Sequence, residues 1–211
     1  MSFYLAEFAK IMVAHLLAVA SPGPDFALVV RQSLAHGRQT AVWTSIGIGS
    51  AILLHVTYSL LGIGLLLKSS VLAFTLLKYT GAAYLTWMGV QALRSQPRDA
   101  AAEIAGKEAG APSARAAWGK GFLTNALNPK VTLFFLALLP VVVSPQTPRI
   151  IQAGYGVWMS LATMAWFSLV SLLFTRESVR RRFLSHGHWI DRVLGLVFIA
   201  FAVSLALASL K

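Results

Sequence analysis

Ala18-Val19-Ala20-Ser21-Pro22-Gly23-Pro24-Asp25-Phe26-Ala27 sets two prolines, a glycine and an acid inside a stretch otherwise apolar from about residue 8 to 31. Proline has no N–H and clashes with the carbonyl four residues back. Pro22 therefore frees the carbonyl of Ala18, and Pro24 frees that of Ala20. Ser21 and Gly23, each preceding a proline, are pushed towards extended geometry. Two such residues so close break a helix rather than bend it. A second break is written in Asn125-Ala126-Leu127-Asn128-Pro129-Lys130, where Pro129 frees the carbonyl of Asn125 and biases Asn128 away from helix.

The surroundings make these breaks unusual. The chain has 211 residues, of which 57% are hydrophobic and 12% charged, and its mean hydropathy is +0.69. Soluble domains carry about 25% charged residues, so the natural solvent here is a bilayer. Six stretches are long enough to cross as helix: about 8–31, 41–67, 71–93, 118–143, 150–174 and 189–210. They are apolar on every face, unlike the alternating strands of a barrel. The absence of cysteine excludes disulfides, thiolate metal sites and cysteine nucleophiles. The net charge of +11 does not point to nucleic acid, because the basic residues lie in the gaps between apolar segments. There they set topology and touch anionic lipid.

Lys10 followed by an apolar run and Ala18-Val19-Ala20 mimics a signal peptide. Cleavage there would strand the first proline motif, so the stretch is read as a retained helix. The gap after the first span holds Arg31 and Arg38. The gap after the third holds Arg94, Arg98, Lys107, Arg115 and Lys120, and that after the fifth holds Arg176, Arg180, Arg181, Arg182 and Arg192. Only Lys10, Lys68, Lys78, Arg149 and Lys211 lie on the other side. The positive excess faces the cytoplasm, which predicts both termini in the periplasm of a bacterial inner membrane.

Residues 95–117, rich in Ala, Gly and charge, read as a flexible cytoplasmic linker. They divide one membrane domain into repeats at 1–94 and 118–211. Each half opens with a proline-broken helix. Each second helix begins Gly-x-Gly, at Gly47-Ile48-Gly49 and Gly154-Tyr155-Gly156, and Lys78-Tyr79-Thr80-Gly81 aligns with Arg192-Val193-Leu194-Gly195. Three spans are an odd number, so the second half must run upside down. The predicted fold is all-α: six transmembrane helices in two inverted three-helix repeats, with helices 1 and 4 broken. Secondary transporters commonly have this architecture, with substrate held between the breaks.

Bare backbone within the hydrocarbon survives only beside protein or water, so each break predicts a cavity. A half-helix N-terminus suits an anion such as a carboxylate, and freed carbonyls suit an ammonium. Asp25 and Lys130 each follow a break, and intramembrane charges are functional by default. The expectation is that they meet, with Asp25 accepting protons and Lys130 organising it or binding a carboxylate. The alternatives are simple capping by Asp25 and snorkelling of Lys130 to the interface. Asn125, Asn128 and Ser21 complete the candidate substrate- or ion-coupling set. Pro22, Gly23, Pro24 and Pro129 make the breaks, and His55, Tyr84, Gly47, Gly49, Gly154 and Gly156 are candidates for the cavity lining. His55 and His15 read equally as packing residues. The glycines read equally as helix contacts. His186-Gly187-His188 lacks a nearby carboxylate and is a poor metal site. No metal and no cofactor is expected.

Ser21-Pro22-Gly23-Pro24-Asp25 resembles the signature of the lysine-exporter (LysE-type) superfamily, and its threonine/homoserine branch in particular. Gly121 to Lys130 resembles that branch's second motif, and Gly81-Ala82-Ala83-Tyr84-Leu85 with Gly89 is also similar. The resemblance covers nearly the whole chain. It implies a bacterial inner-membrane exporter of amino acids, such as small neutral ones like threonine or homoserine, driven by the proton-motive force as an antiporter. A single cation near a carboxylate site weakly favours zwitterionic over dibasic cargo. The alternatives are export of another small metabolite or ion, or a passive channel. Enzyme chemistry finds no His-Glu-x-x-His, no paired intramembrane aspartates and no cysteine pair. The expected partners are the small-molecule substrate, protons and lipid, with a homodimer compatible. Orientation has a direct test. Alkaline phosphatase, active only outside the cytoplasm, should be active when fused after Lys211 and silent within residues 95–117; the reverse pattern overturns the assignment.

Overall fold

The computed structural model describes residues 2–21, 23–69, 71–96, 111–174 and parts of 188–207. Pro22, most of the linker, Arg176, the Arg180–Arg182 cluster and His186 lie outside the described residues. The chain is helical, and no strand occurs among the described residues. The elements are α1 (Ser2–Ala20), α2 (Pro24–Ser69), α3 (Val71–Leu93), α4 (Ala114–Ala126), α5 (Pro129–Val142) and α6 (Arg149–Phe174). Residues 195–200 are also helical.

Both breaks fall where proline requires them. α1 stops at Ala20, and α2 starts at Pro24, where the missing N–H costs nothing. α4 stops at Ala126, and α5 starts at Pro129 behind an extended Asn128 cap. Two boundaries differ from expectation. The linker ends at Ser113 rather than 117, because the Ser113 side chain accepts from the Ala116 N–H at 3.2 Å and starts α4 there. The first two expected spans have no loop between them. Helix runs to His36 and resumes at Arg38, turning at Gly37 with φ 81° and ψ 177°. Only glycine adopts that geometry without strain.

Three helical segments are long and apolar enough to cross a membrane among the described residues: Phe3–Ala20, Pro24–Leu61 and Arg149–Phe174. α4 and α5, of 13 and 14 residues, are each too short alone. Burial is inverted relative to a soluble protein. Leu53, Leu54, Leu61, Leu161 and Leu196 are exposed, while Glu7, His15, Asp25, His55, Asn125 and Asn128 are buried. A lipid-facing exterior accounts for both halves of that pattern.

In lipid no hydrophobic force drives helices together, so close van der Waals contact and interhelical hydrogen bonds must hold them. α2 packs along α4 and α6, α1 against α5 and α6, and α3 against α5. Ile11, Ile52, Phe135, Leu139, Met159 and Phe198 belong to the main core. A second cluster joins Phe26, Val29 and Ile48 to Phe167 and Phe174. The tightest approaches run through glycine. A Cβ on Gly47 would collide with the Trp118 carbonyl, and one on Gly121 with the Thr44 carbonyl. Ser160 Oγ donates to the Gly49 carbonyl at 2.7 Å.

These environments separate the glycines. Gly121→Ala forces α2 and α4 apart and should destabilise by about 1–3 kcal/mol or more, as overpacking does. Gly37→Ala meets no atom within 4 Å, so its cost is backbone strain alone, about 1–3 kcal/mol. Gly154→Ala, also in open space, should be neutral. Thermal unfolding in detergent checks the order; a Gly154→Ala loss as large as that of Gly121→Ala contradicts this packing.

Candidate functional site

The two breaks lie against each other and satisfy one another. Asp25, in the first turn of α2, is 7% exposed. Its Oδ2 accepts from Asn125 Nδ2 at 2.9 Å and from Asn128 Nδ2 at 3.1 Å. In return Lys130 Nζ donates to the Ser21 carbonyl at 2.8 Å. Acid and cation therefore each find a partner in the opposite break.

Asn128 does two jobs. Its Oδ1 accepts from the Lys130 N–H at 3.0 Å and caps α5, while its Nδ2 holds Asp25. The Asn125 carbonyl, left without the N–H that Pro129 lacks, accepts from the Asn128 N–H at 2.9 Å and from His55 Nε2 at 3.1 Å. His55 thus supplies from α2 a donor that proline withholds. Its Nδ1 meets the Tyr58 hydroxyl, and its ring stacks on Phe135.

Two cavities meet at this junction. A narrow chamber of about 40 Å³ is lined by His15, Asp25, Asn125, Phe134, Phe135 and Thr163 among others. A wider, partly open cavity of about 380 Å³ is lined by Tyr84, Trp87, Gln91, Ser95 and Asp191. Ser21, Gly23, Met88, Asn128 and Lys130 line both. Asp25 therefore sits on the inner wall and Lys130 at the threshold.

Of the residues expected to line the cavity, Tyr84 does so. His55 instead braces the second break. Gly47, Gly49 and Gly156 lie at helix contacts, where a Cβ would meet Trp118, Met164 and Val56 respectively, and Gly154 faces open space. None of these glycines lines either cavity. Small residues in a bilayer serve backbone approach first, and Gly47, Gly49 and Gly156 do so here.

Sequence reasoning passed over Glu7. It is 4% exposed and accepts from the Ser144 N–H at 2.7 Å, the Thr147 hydroxyl at 2.9 Å and the Tyr155 hydroxyl at 3.2 Å. It fastens the start of α1 to the turn between α5 and α6. At about 1.5 Å per residue, that contact lies about 20 Å along α1 from the first break. The available signal was an acid within an otherwise apolar N-terminal stretch. At the cavity's outer rim Ser95 Oγ donates to Asp191 Oδ2 at 2.6 Å, joining the end of α3 to the last helical segment.

An all-helical, lipid-facing chain with two interrupted helices joined by buried polar side chains beside a cavity is an integral membrane protein built to hold a polar solute. Comparison with known proteins gives the family: residues 16–209 match the LysE type translocators, and the chain belongs to that family. It is 32% identical over 206 residues to the threonine efflux protein of Salmonella typhi, covering 97% of this chain and 99% of that one. It is 28% identical over 204 residues to the threonine efflux protein of Escherichia coli K12, with the same coverage. The homoserine/homoserine lactone efflux protein of Salmonella typhimurium is 34% identical over 145 residues, 69% of this chain and 68% of its own length. No solved structure matches this chain.

The double role of Asn128 is measurable. Asn128→Ala removes a helix cap, about 1 kcal/mol, and a hydrogen bond to a carboxylate, about 1.5–3 kcal/mol. Asn125→Ala removes the second only. Unfolding in detergent should show the larger loss for Asn128→Ala, and equal losses would contradict the capping role.

Proposed function

We propose that this protein is a secondary active exporter of amino acids in the bacterial inner membrane, working as a proton-driven antiporter. The observation that carries the reading is the buried Asp25–Asn125–Asn128 cluster, with Lys130 beside it, at the junction of two broken helices and two cavities. The efflux functions named for its relatives support it. So does the matched placing of the breaks, which fits an inverted repeat with substrate between them.

An amino acid carries an anion and a cation a few ångströms apart. Lys130, at the threshold, is the group for the carboxylate. Asp25, on the inner wall, is the group that exchanges a proton with the bound state. Two amide donors and the α2 N-terminus hold its carboxylate in place without neutralising it, which leaves its charge available to a proton. Small neutral amino acids such as threonine or homoserine suit one cation and one anion better than dibasic ones do. With the basic gaps cytoplasmic, the wide cavity at Ser95 and Asp191 opens inward and the Glu7 contacts close the periplasmic end. This is the loading state of an exporter.

The test is transport in proteoliposomes with an imposed proton gradient. Wild-type protein should move threonine against its gradient and lose that ability when an uncoupler is added. Asp25→Asn should reduce coupled transport at least about a hundredfold, the range seen when a positioned proton-transfer group is lost, while inserting normally. Near-normal coupled transport by Asp25→Asn would remove Asp25 from the mechanism. Uncoupler-insensitive flux would identify a channel.

A further inference from the structure

Two side chains that line the narrow chamber carry unused acceptors. Asp25 Oδ1 is buried and accepts no hydrogen bond, because both asparagine amides go to Oδ2. His15, on α1, lines the same chamber and is 1% exposed. Its Nε2 lies 3.1 Å from the Met159 carbonyl and 3.0 Å from Thr163 Oγ1. A carbonyl oxygen only accepts, so Nε2 carries the ring proton and Nδ1 is left as an acceptor. Nδ1 too is buried without a partner. Two orphaned acceptors on residues that line one chamber are costly unless a donor reaches them.

The rest of the chamber narrows what that donor is. Its volume of about 40 Å³ is room for two or three waters, at about 10–15 Å³ each on this measure. That admits the head of a molecule and not the whole of it. Phe134, Phe135 and Phe167 form much of the remaining wall, and aromatic faces attract cations. Lys130 also lines this chamber but its Nζ donates to the Ser21 carbonyl, and a carboxylate placed at Asp25 Oδ1 and His15 Nδ1 would meet only acceptor lone pairs. A hydroxyl has one hydrogen for two acceptors. A protonated amine has three hydrogens, a positive charge and the right size.

We propose that this chamber is the ammonium subsite of the transporter, with Asp25 Oδ1 and His15 Nδ1 as its acceptors. The carboxylate end of the substrate stays at Lys130 in the outer cavity. The assignment rests on the amino-acid export reading and adds a specificity residue, His15. It makes the protein selective for a free primary amine against the deaminated acid of the same skeleton.

Thermal stabilisation of the purified full-length protein tests it, with three probes: ethylammonium chloride, L-threonine and 3-hydroxybutyrate. Wild-type protein should be stabilised by the first two and not by the third. His15→Phe should raise the half-saturating concentration of ethylammonium and threonine about tenfold or more, the effect of losing a hydrogen bond to a charged group. His15→Asn keeps an acceptor near the Nδ1 position but gives up the Nε2 contacts to α6, so it should bind more tightly than His15→Phe. A merely structural His15 predicts equal weakening in both variants. Stabilisation by 3-hydroxybutyrate equal to that by threonine, or unchanged threonine binding in His15→Phe, overturns the proposal. Should His15→Phe fail to fold, the probe comparison on wild type and on His15→Asn decides. Stabilisation by ethylammonium without threonine flux in proteoliposomes refutes the export reading and supports the subsite. Threonine flux that 3-hydroxybutyrate inhibits as well as unlabelled threonine does refutes the subsite and leaves export standing.

Discussion

A helix interrupted inside a bilayer leaves peptide groups that only the protein itself or enclosed water can satisfy. Everything at the centre of this molecule follows from that obligation. Proline opens α1–α2 and α4–α5 at one junction, and the exposed groups are met across it. The Ser21 carbonyl takes the Lys130 ammonium, and the Asn125 carbonyl takes the His55 ring N–H. Asn128 closes the start of α5 with one end of its amide and grips Asp25 with the other. The bonds that assemble the site are the same bonds that satisfy the two breaks.

The electrostatics share this economy. A lone carboxylate in a low-dielectric interior is prohibitively costly, and pairing it rigidly with a cation would cancel the charge the site needs. Here neutral amide donors carry most of the direct contact with Asp25, and Lys130 is committed to a backbone oxygen. Holding the carboxyl and pairing a cation with it are thus separate tasks, done by separate groups. One carboxylate oxygen is fully used and the other is not, an asymmetry that divides holding from binding.

The breaks were legible because proline acts locally: Pro24 and Pro129 dictate their own surroundings whatever the fold. The expectation joined Asp25 to Lys130; the hydrogen bonds instead join Asp25 to the Asn125 and Asn128 amides and Lys130 to the Ser21 carbonyl, because an acceptor and a donor each lay nearer across the junction. What the sequence concealed depends on distant residues. Glu7 is partnered by Ser144, Thr147 and Tyr155, more than 130 positions away. Its spacing carries no hint of them. His55 fills a vacancy at Asn125, 70 positions along. Gly37 was lost in a polar gap that read as a loop, because a single positive φ has no composition signature. Gly154 and Gly156 look alike in sequence, but only Gly156 has a neighbour to accommodate. Ser113 was readable as a cap, and the flexible composition before it hid the helix that follows.

The glycine contacts also decide which parts of the molecule behave as solid bodies. Where Gly47 and Gly121 press backbone on backbone, no side chain is left to rotate out of the way, and Gly49 lies as close to the Ser160 carbonyl and the Met164 side chain. α2 is therefore keyed closely to α4 and α6. Gly89 and Gly195 face each other in the same manner, keying α3 to the last helical segment. The wide cavity is the seam between these two blocks, walled on one side by Tyr84, Trp87 and Phe198 and on the other by the paired breaks. A cavity walled by two such blocks changes width only if one block shifts against the other.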